Sequence, residues 1–171
     1  MGIFRKEHTG ELPPPLACCS IFYSRKGIVI ASVHRDIRGW TPHGEPMRLL
    51  GVDANASTIG DAVLSSLLGS RDGIAENEGE ADSSKMFRLM GEKSWKGVHK
   101  RWYLIKASMD RNKTTVEFFP THRDKWGGWM TLQGDPAYRC SIDPIEMGKI
   151  IAKIISSPPL DEVANRDPSH T

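Results

Sequence analysis

The sequence predicts an α+β fold: a single domain of two tandem ββ-loop-β-α half-repeats, its mostly antiparallel sheet carrying helices packed on one face. Three observations predict it. A set of motifs occurs twice at nearly constant separation, each copy holds two strand signals around a turn, and each copy closes with an amphipathic helix.

The motifs come first. His34-Arg35-Asp36 returns as His122-Arg123-Asp124, Gly39-Trp40 as Gly128-Trp129, Gly44-Glu45-Pro46 as Gly134-Asp135-Pro136, and Ile59-Gly60 as Met147-Gly148. The separations are 88, 89, 90 and 88 residues. Drift of that size is what single-residue loop insertions produce. A duplicated half-domain is first a statement about architecture, so its polar residues are read as scaffold before they are read as chemistry.

Residues 1–17 contain Leu12-Pro13-Pro14-Pro15-Leu16, which excludes helix and reads as an extended arm. Ile21 to Tyr23 and Ile28 to Val33 flank Ser24-Arg25-Lys26-Gly27, a hairpin signal. A loop through Gly39 and Gly44 leads to a short strand from Pro46 to Val52. From Ser57 to Leu68 the spacing is helical, with Ile59, Ala62, Val63 and Leu67 on one face. The second copy follows the same plan. Trp102 to Ala107 and Thr114 to Phe119 form a hairpin, Ala137 to Ile142 a strand, and Asp143-Pro144-Ile145-Glu146 a helix start with an acid N-cap and Pro in the first turn. The stripe Met147, Ile150, Ile151, Ile154, Ile155 then matches Ile59, Ala62, Val63, Ser66, Leu67. Gly60 and Gly148 recur inside these helices, where glycine costs about 1 kcal/mol, and they imply a helix backbone lying close against the sheet. The half-repeats therefore span about 18–70 and 100–157 of a domain covering 18–157. An acidic loop and short linker helices fill 71–99, and a disordered tail occupies 158–171.

Composition narrows the class. No apolar run reaches the roughly 18 residues of a membrane helix, and the N-terminus lacks a signal core. Cys18, Cys19 and Cys140 give neither a disulfide framework nor metal-ligand spacing. The adjacent pair should point to opposite faces of a strand. The expectation is a reduced, cytoplasmic protein without metal or cofactor. Net charge is +2 but divided: residues 1–83 carry −3 and residues 84–171 carry +5. Asp72, Glu76, Glu78, Glu80 and Asp82 follow one another without an intervening Lys or Arg. That run reads as a solvated, mobile loop or as a landing site for a basic partner.

Candidate chemistry is thin. A kinase-type His-Arg-Asp needs a Gly-rich loop, a strand lysine and a metal-binding Asp that this chain lacks. Turn chemistry explains both copies, with Asp36 and Asp124 bonding turn amides and each Arg pairing locally. The six histidines show no metal-binding spacing. Trp40 and Trp129 each follow a loop glycine and read either as caps on the core or as a paired aromatic binding surface. The stretch 93–113, with Lys93, Lys96, Lys100, Arg101, Lys106, Arg111 and Lys113 around Trp95, Trp102 and Tyr103, reads as a solvated basic face or as a nucleic-acid surface.

Several short segments in order carry a resemblance: Tyr23-Ser24-Arg25, Gly39-Trp40, Ile59-Gly60-Asp61-Ala62, Lys93-Ser94-Trp95 and Glu146-Met147-Gly148. Across approximately Cys19 to Ser156 the chain resembles the contact-dependent growth inhibition (CDI) immunity proteins of Gram-negative bacteria. The resemblance implies a cytoplasmic antitoxin, not an enzyme, whose partner is the C-terminal toxin domain of a surface adhesin, commonly a nuclease. It brings no catalytic residues. A nuclease holds phosphate on a basic surface, which an acidic segment can mimic. Asp72, Glu76, Glu78, Glu80 and Asp82 are then the expected toxin contacts, with Trp40 as an anchor. A neutral or acidic toxin would instead dock on the Lys93 to Lys113 region. A nucleic-acid-binding module using that stretch is the alternative.

Overall fold

The computed structural model describes residues 17–39, 41–124, 127–131 and 138–157. The expected arm, the tail and Trp40 therefore lie outside the described residues. Strands β1 (Cys18–Ser24) and β2 (Gly27–Val33) form the first hairpin, followed by the short β3 (Arg35–Asp36), β4 (His43–Leu50) and helix α1 (Ala56–Leu68). Next come β5 (Asp72–Ile74), α2 (Glu76–Met90) and α3 (Trp95–Arg101). The second copy comprises β6 (Tyr103–Met109), β7 (Thr115–Pro120), the short β8 (His122–Arg123) and β9 (Trp129–Met130), β10 (Tyr138–Ser141) and α4 (Pro144–Ser156). Strand β4 begins three residues before the expected Pro46, because His43 and Gly44 already pair with Val33 and Ser32 across a register shift.

The main sheet has six strands in the order β10-β7-β6-β1-β2-β4, all pairs antiparallel. It is two three-stranded halves joined through β1 and β6, and the central register sets Ile21 against Ile105. The 88-residue offset carries Ile30 onto Phe118, so their partners Ile21 and Ala107 correspond. Exchanging the halves about the Ser20–Lys106 pair relates Phe22 to Ser108 and Cys18 to Leu104. The duplication read in the sequence is thus a pseudo-twofold within one sheet. The copies part in their loops: β3 pairs in parallel with β5, whereas β8 pairs with β9 in its own half.

Helix α1 starts on Asn55, whose side chain accepts from the Thr58 amide at 2.9 Å; α4 starts on Asp143, which accepts from the Glu146 amide at 2.9 Å. These caps satisfy amides the helices leave open. Both helices lie on the same face of the sheet. There Ile59, Val63, Leu67, Met147 and Ile151 pack on Ile21, Ile30, Ile105 and Phe118. The repeated glycines do a different job from the one expected. A Cβ on Gly60 would sit 1.7 Å from the Pro144 carbonyl oxygen, and one on Gly148 would sit 1.8 Å from the Ala56 oxygen. Pro144 and Ala56 are themselves 88 residues apart. The glycines permit a reciprocal helix–helix crossing, not a close approach to the sheet.

The opposite face also carries helices. Met86 and Met90 of α2, Val98 of α3 and Trp102 pack on Phe22, Val29, Ala31, Met47 and Leu104. The one-face expectation holds for α1 and α4, and the linker helices add a second layer. Strand β2 is buried on both sides over Gly27–Ser32, its alternate residues feeding the two cores. The acidic segment is likewise not a loop: it runs through β5 into the first turns of a 15-residue helix. Acids there face the positive end of the helix dipole, which offsets their mutual repulsion. At the other end Gly91 takes φ 63°, and the Glu92 amide donates to the Phe87 carbonyl at 2.9 Å, closing the helix with a left-handed cap.

Candidate functional site

The two His-Arg-Asp segments are built as turns. Asp36 Oδ1 accepts from the Arg38 amide at 2.8 Å, and its other oxygen accepts from the Arg38 guanidinium. Asp124 Oδ1 accepts from the Gly128 amide at 2.8 Å, and the Asp124 amide donates back to the Gly128 carbonyl. Arg35 pairs with Asp72 at 3.2 Å, while Arg123 donates to the Trp102 carbonyl and lies over the Tyr103 ring. Each arginine thus pins its strand end to a neighbouring element.

His34 is fully buried. Its Nδ1 accepts from the Arg71 amide at 3.1 Å, which places the proton on Nε2. Burial depresses its pKa, and the Arg71 charge adds to that. Nearby His43 holds Ser20 Oγ at 2.9 Å, and burial pushes its pKa down to about 4, with His34 contributing. His34 is bonded to a backbone amide, whereas His43 lies beside the hydroxyl of Ser20. Among the described residues no group of three His, Cys, Asp or Glu could hold a metal ion, and no helix is long and apolar enough to cross a membrane.

The acidic residues expected to meet a partner are dispersed in role. Asp72 is held by Arg35, and Glu78 by Arg71 at 2.8 Å. Asp82 is half-buried and reaches toward Gly44, where its charge is felt by His34. Glu76 and Glu80 lie on α2 with side chains outside the described residues. Trp129 is half-buried, packed on Phe22 and against His99 and Trp95, so this copy of the repeated tryptophan caps a core.

The aromatic residues of the basic stretch all pack against neighbouring rings or the core, to different depths. Trp102 is fully buried and its indole nitrogen donates to Glu92 at 3.3 Å; Trp95 contacts Phe87 and Phe22; Tyr103 stacks on Tyr23. Trp102 offers no ring face on which a base could stack, while Trp95 and Tyr103 are half-buried. Sequence reasoning does not single out Glu92. Its side chain is completely enclosed, receives Arg101 through both oxygens, and takes Lys26 of the first hairpin at 3.2 Å. Hydrogen bonds from Arg101 chiefly, then Lys26 and Trp102, hold its carboxyl at about 2.

The sheet also carries a concave feature. On the α2/α3 side, beyond the end of those helices, a cavity of about 410 Å³ opens over β1 and β6, lined among others by Cys18, Ser20, His43, Leu104, Lys106 and Phe119. Its volume lies within the range of ligand and peptide pockets. Lys106 projects from its floor between Ser20 and Phe119, its cross-strand neighbours.

No protein-family model matches the chain, and no curated protein matches it. Solved structures do. A protein of unknown function from Neisseria meningitidis superposes with a TM-score of 0.62 at 16% identity, covering 82% of this chain and 94% of that one. A chain of the CdiA-CT/CdiI toxin and immunity complex from Yersinia pseudotuberculosis superposes with a TM-score of 0.60 at 15% identity, covering 78% and 91%. Both likenesses are of fold, and they extend over nearly the whole of each neighbour.

Proposed function

We propose that this chain is an immunity protein that binds and neutralises the C-terminal toxin domain of a cognate CDI adhesin, acting in the cytoplasm against a toxin that is a nuclease. The observation that carries this reading is the fold shared with a chain of a toxin and immunity complex over 91% of that chain. The order of short motifs from Tyr23-Ser24-Arg25 to Glu146-Met147-Gly148 supports it independently. The repeated His-Arg-Asp segments, bonded within turns, are compatible with a scaffold whose work is occlusion. A binder needs no reacting groups; it needs a rigid surface that fits, and two cores on one sheet supply rigidity.

The test is co-expression with the toxin domain encoded in the reading frame immediately upstream. A stoichiometric complex that survives gel filtration at micromolar concentration, and a toxin whose nuclease activity disappears within it, is the expected result. Separate migration of the two proteins would end this reading.

A further inference from the structure

The pseudo-twofold leaves one half of the sheet's second face unmatched, and that asymmetry locates a docking surface. Under the exchange of halves Phe22 corresponds to Ser108 and Leu104 to Cys18. Phe22 is fully buried, under the aromatic and methionine side chains that α2 and α3 bring to it. Helices α2 and α3 occur once, between the copies, so no described element covers the equivalent place above Ser108, on the same strand face as Lys106. What remains there is the cavity over β1 and β6: an apolar floor from Leu104 and Phe119, hydroxyls at Ser20 and Ser108, the neutral imidazole of His43, and one ammonium. Lys106 is exposed and makes no ion pair with any described residue. By contrast Asp72 and Glu78 already meet Arg35 and Arg71. The charge of Arg35 is also felt at the Cys18 thiol on the cavity wall, so the positive field there is not Lys106's alone.

We infer that the toxin docks in this cavity, inserting a segment that carries an apolar side chain beside a carboxylate, the carboxylate meeting Lys106 and the apolar group covering Leu104 and Phe119. The inference rests on the immunity reading and names the surface that performs it. A lysine on an apolar floor, with hydroxyl donors around it, complements one negative charge within an apolar footprint. It would repel the basic phosphate-holding surface that the acidic run would attract.

The experiment uses the full chain and the upstream-encoded toxin domain, with affinity measured by titration calorimetry. K106E reverses the charge, and S108W fills the cavity; circular dichroism melts confirm that each variant folds. Both variants are expected to weaken binding at least tenfold, while D72N and E78Q change it less than twofold. Alkylation read by mass spectrometry supplies a check that needs no substitution. Cys18 lines the cavity, whereas Cys140 pairs with Val116, whose side chain points to the other face. Toxin should therefore slow modification of Cys18 and leave Cys140 unchanged. Unaltered affinity in both cavity variants, or equal alkylation of Cys18 with and without toxin, overturns the docking site while the immunity reading stands. Loss of affinity confined to D72N and E78Q moves the site to the acidic run. Failure of the wild-type chain to bind at all overturns the immunity reading itself.

Discussion

His43 and Glu92 are buried titratable groups of opposite kind, and each makes stability depend on acid in its own window. His43 has its pKa lowered to about 4 from 6.5, chiefly by burial. Between those values the unfolded chain binds a proton that the folded chain refuses. Its contribution is complete above about pH 6.5 and declines as pH falls toward 4, below which this group adds nothing further. Glu92 has its carboxyl held at about 2 against 4.5, chiefly by Arg101. Its contribution is complete above about pH 4.5 and is lost as pH falls through 2. Melting temperature followed from pH 8 to 2 should therefore fall in two stages, and His43→Gln should flatten the upper stage only. Glu92→Ala leaves the buried Trp102 indole without its acceptor. Its expected cost is about 2 kcal/mol at pH 7, read from urea unfolding. Nothing in the pattern around Glu92 separates it from the solvated acids nearby, because its burial depends on Lys26 of a hairpin 66 residues away.

Elements were legible where local chemistry and hydrophobic period agreed. The capping sequence Asp143-Pro144 and the stripe of α4 placed that helix correctly, and the turn at Arg25-Lys26 placed the first hairpin. The segment around Glu76 to Ser83 was harder. Its acids are poor evidence for helix by composition, and the helix is secured instead by Met86 and Met90 in the second core and by Lys85 reaching Glu45 on β4. Gly60 and Gly148 were visible as a repeated pair, but only the fold shows what they approach. The crossing predicts the outcome of substitution. Alanine would gain about 1 kcal/mol of helix propensity at either site, yet a Cβ at 1.7 or 1.8 Å from a backbone oxygen forces the two helices apart. Gly60→Ala and Gly148→Ala should each destabilise by about 1–3 kcal/mol net. Because both sites belong to one crossing, the double variant should cost less than the sum. Denaturant titration of the four proteins checks this.

At the scale of the whole molecule, the two cores share their strands. Ile21 faces α1 and α4 while Phe22 faces α2 and α3; Ile28 and Val29, and Ile105 and Leu104, divide in the same way. A strand cannot leave one core without withdrawing side chains from the other, so neither layer has an independent unfolding route. This coupling explains why the duplication, plain in the sequence, does not make two domains: each half-sheet would expose β1 or β6 as an unpaired edge, with side chains withdrawn from both cores. It leads to a definite expectation for damage on one face. Ile151→Ala empties part of the α1/α4 layer and should cost about 2–5 kcal/mol. The fluorescence of Trp102, sealed in the opposite layer, should nevertheless report the same midpoint as far-ultraviolet circular dichroism. Met86→Ala, made on the Trp102 side, should likewise lower a single shared midpoint. If Ile151→Ala gave a circular dichroism transition preceding that of Trp102, the layers would be separable. The rigid platform proposed for toxin binding would then be two weakly joined surfaces.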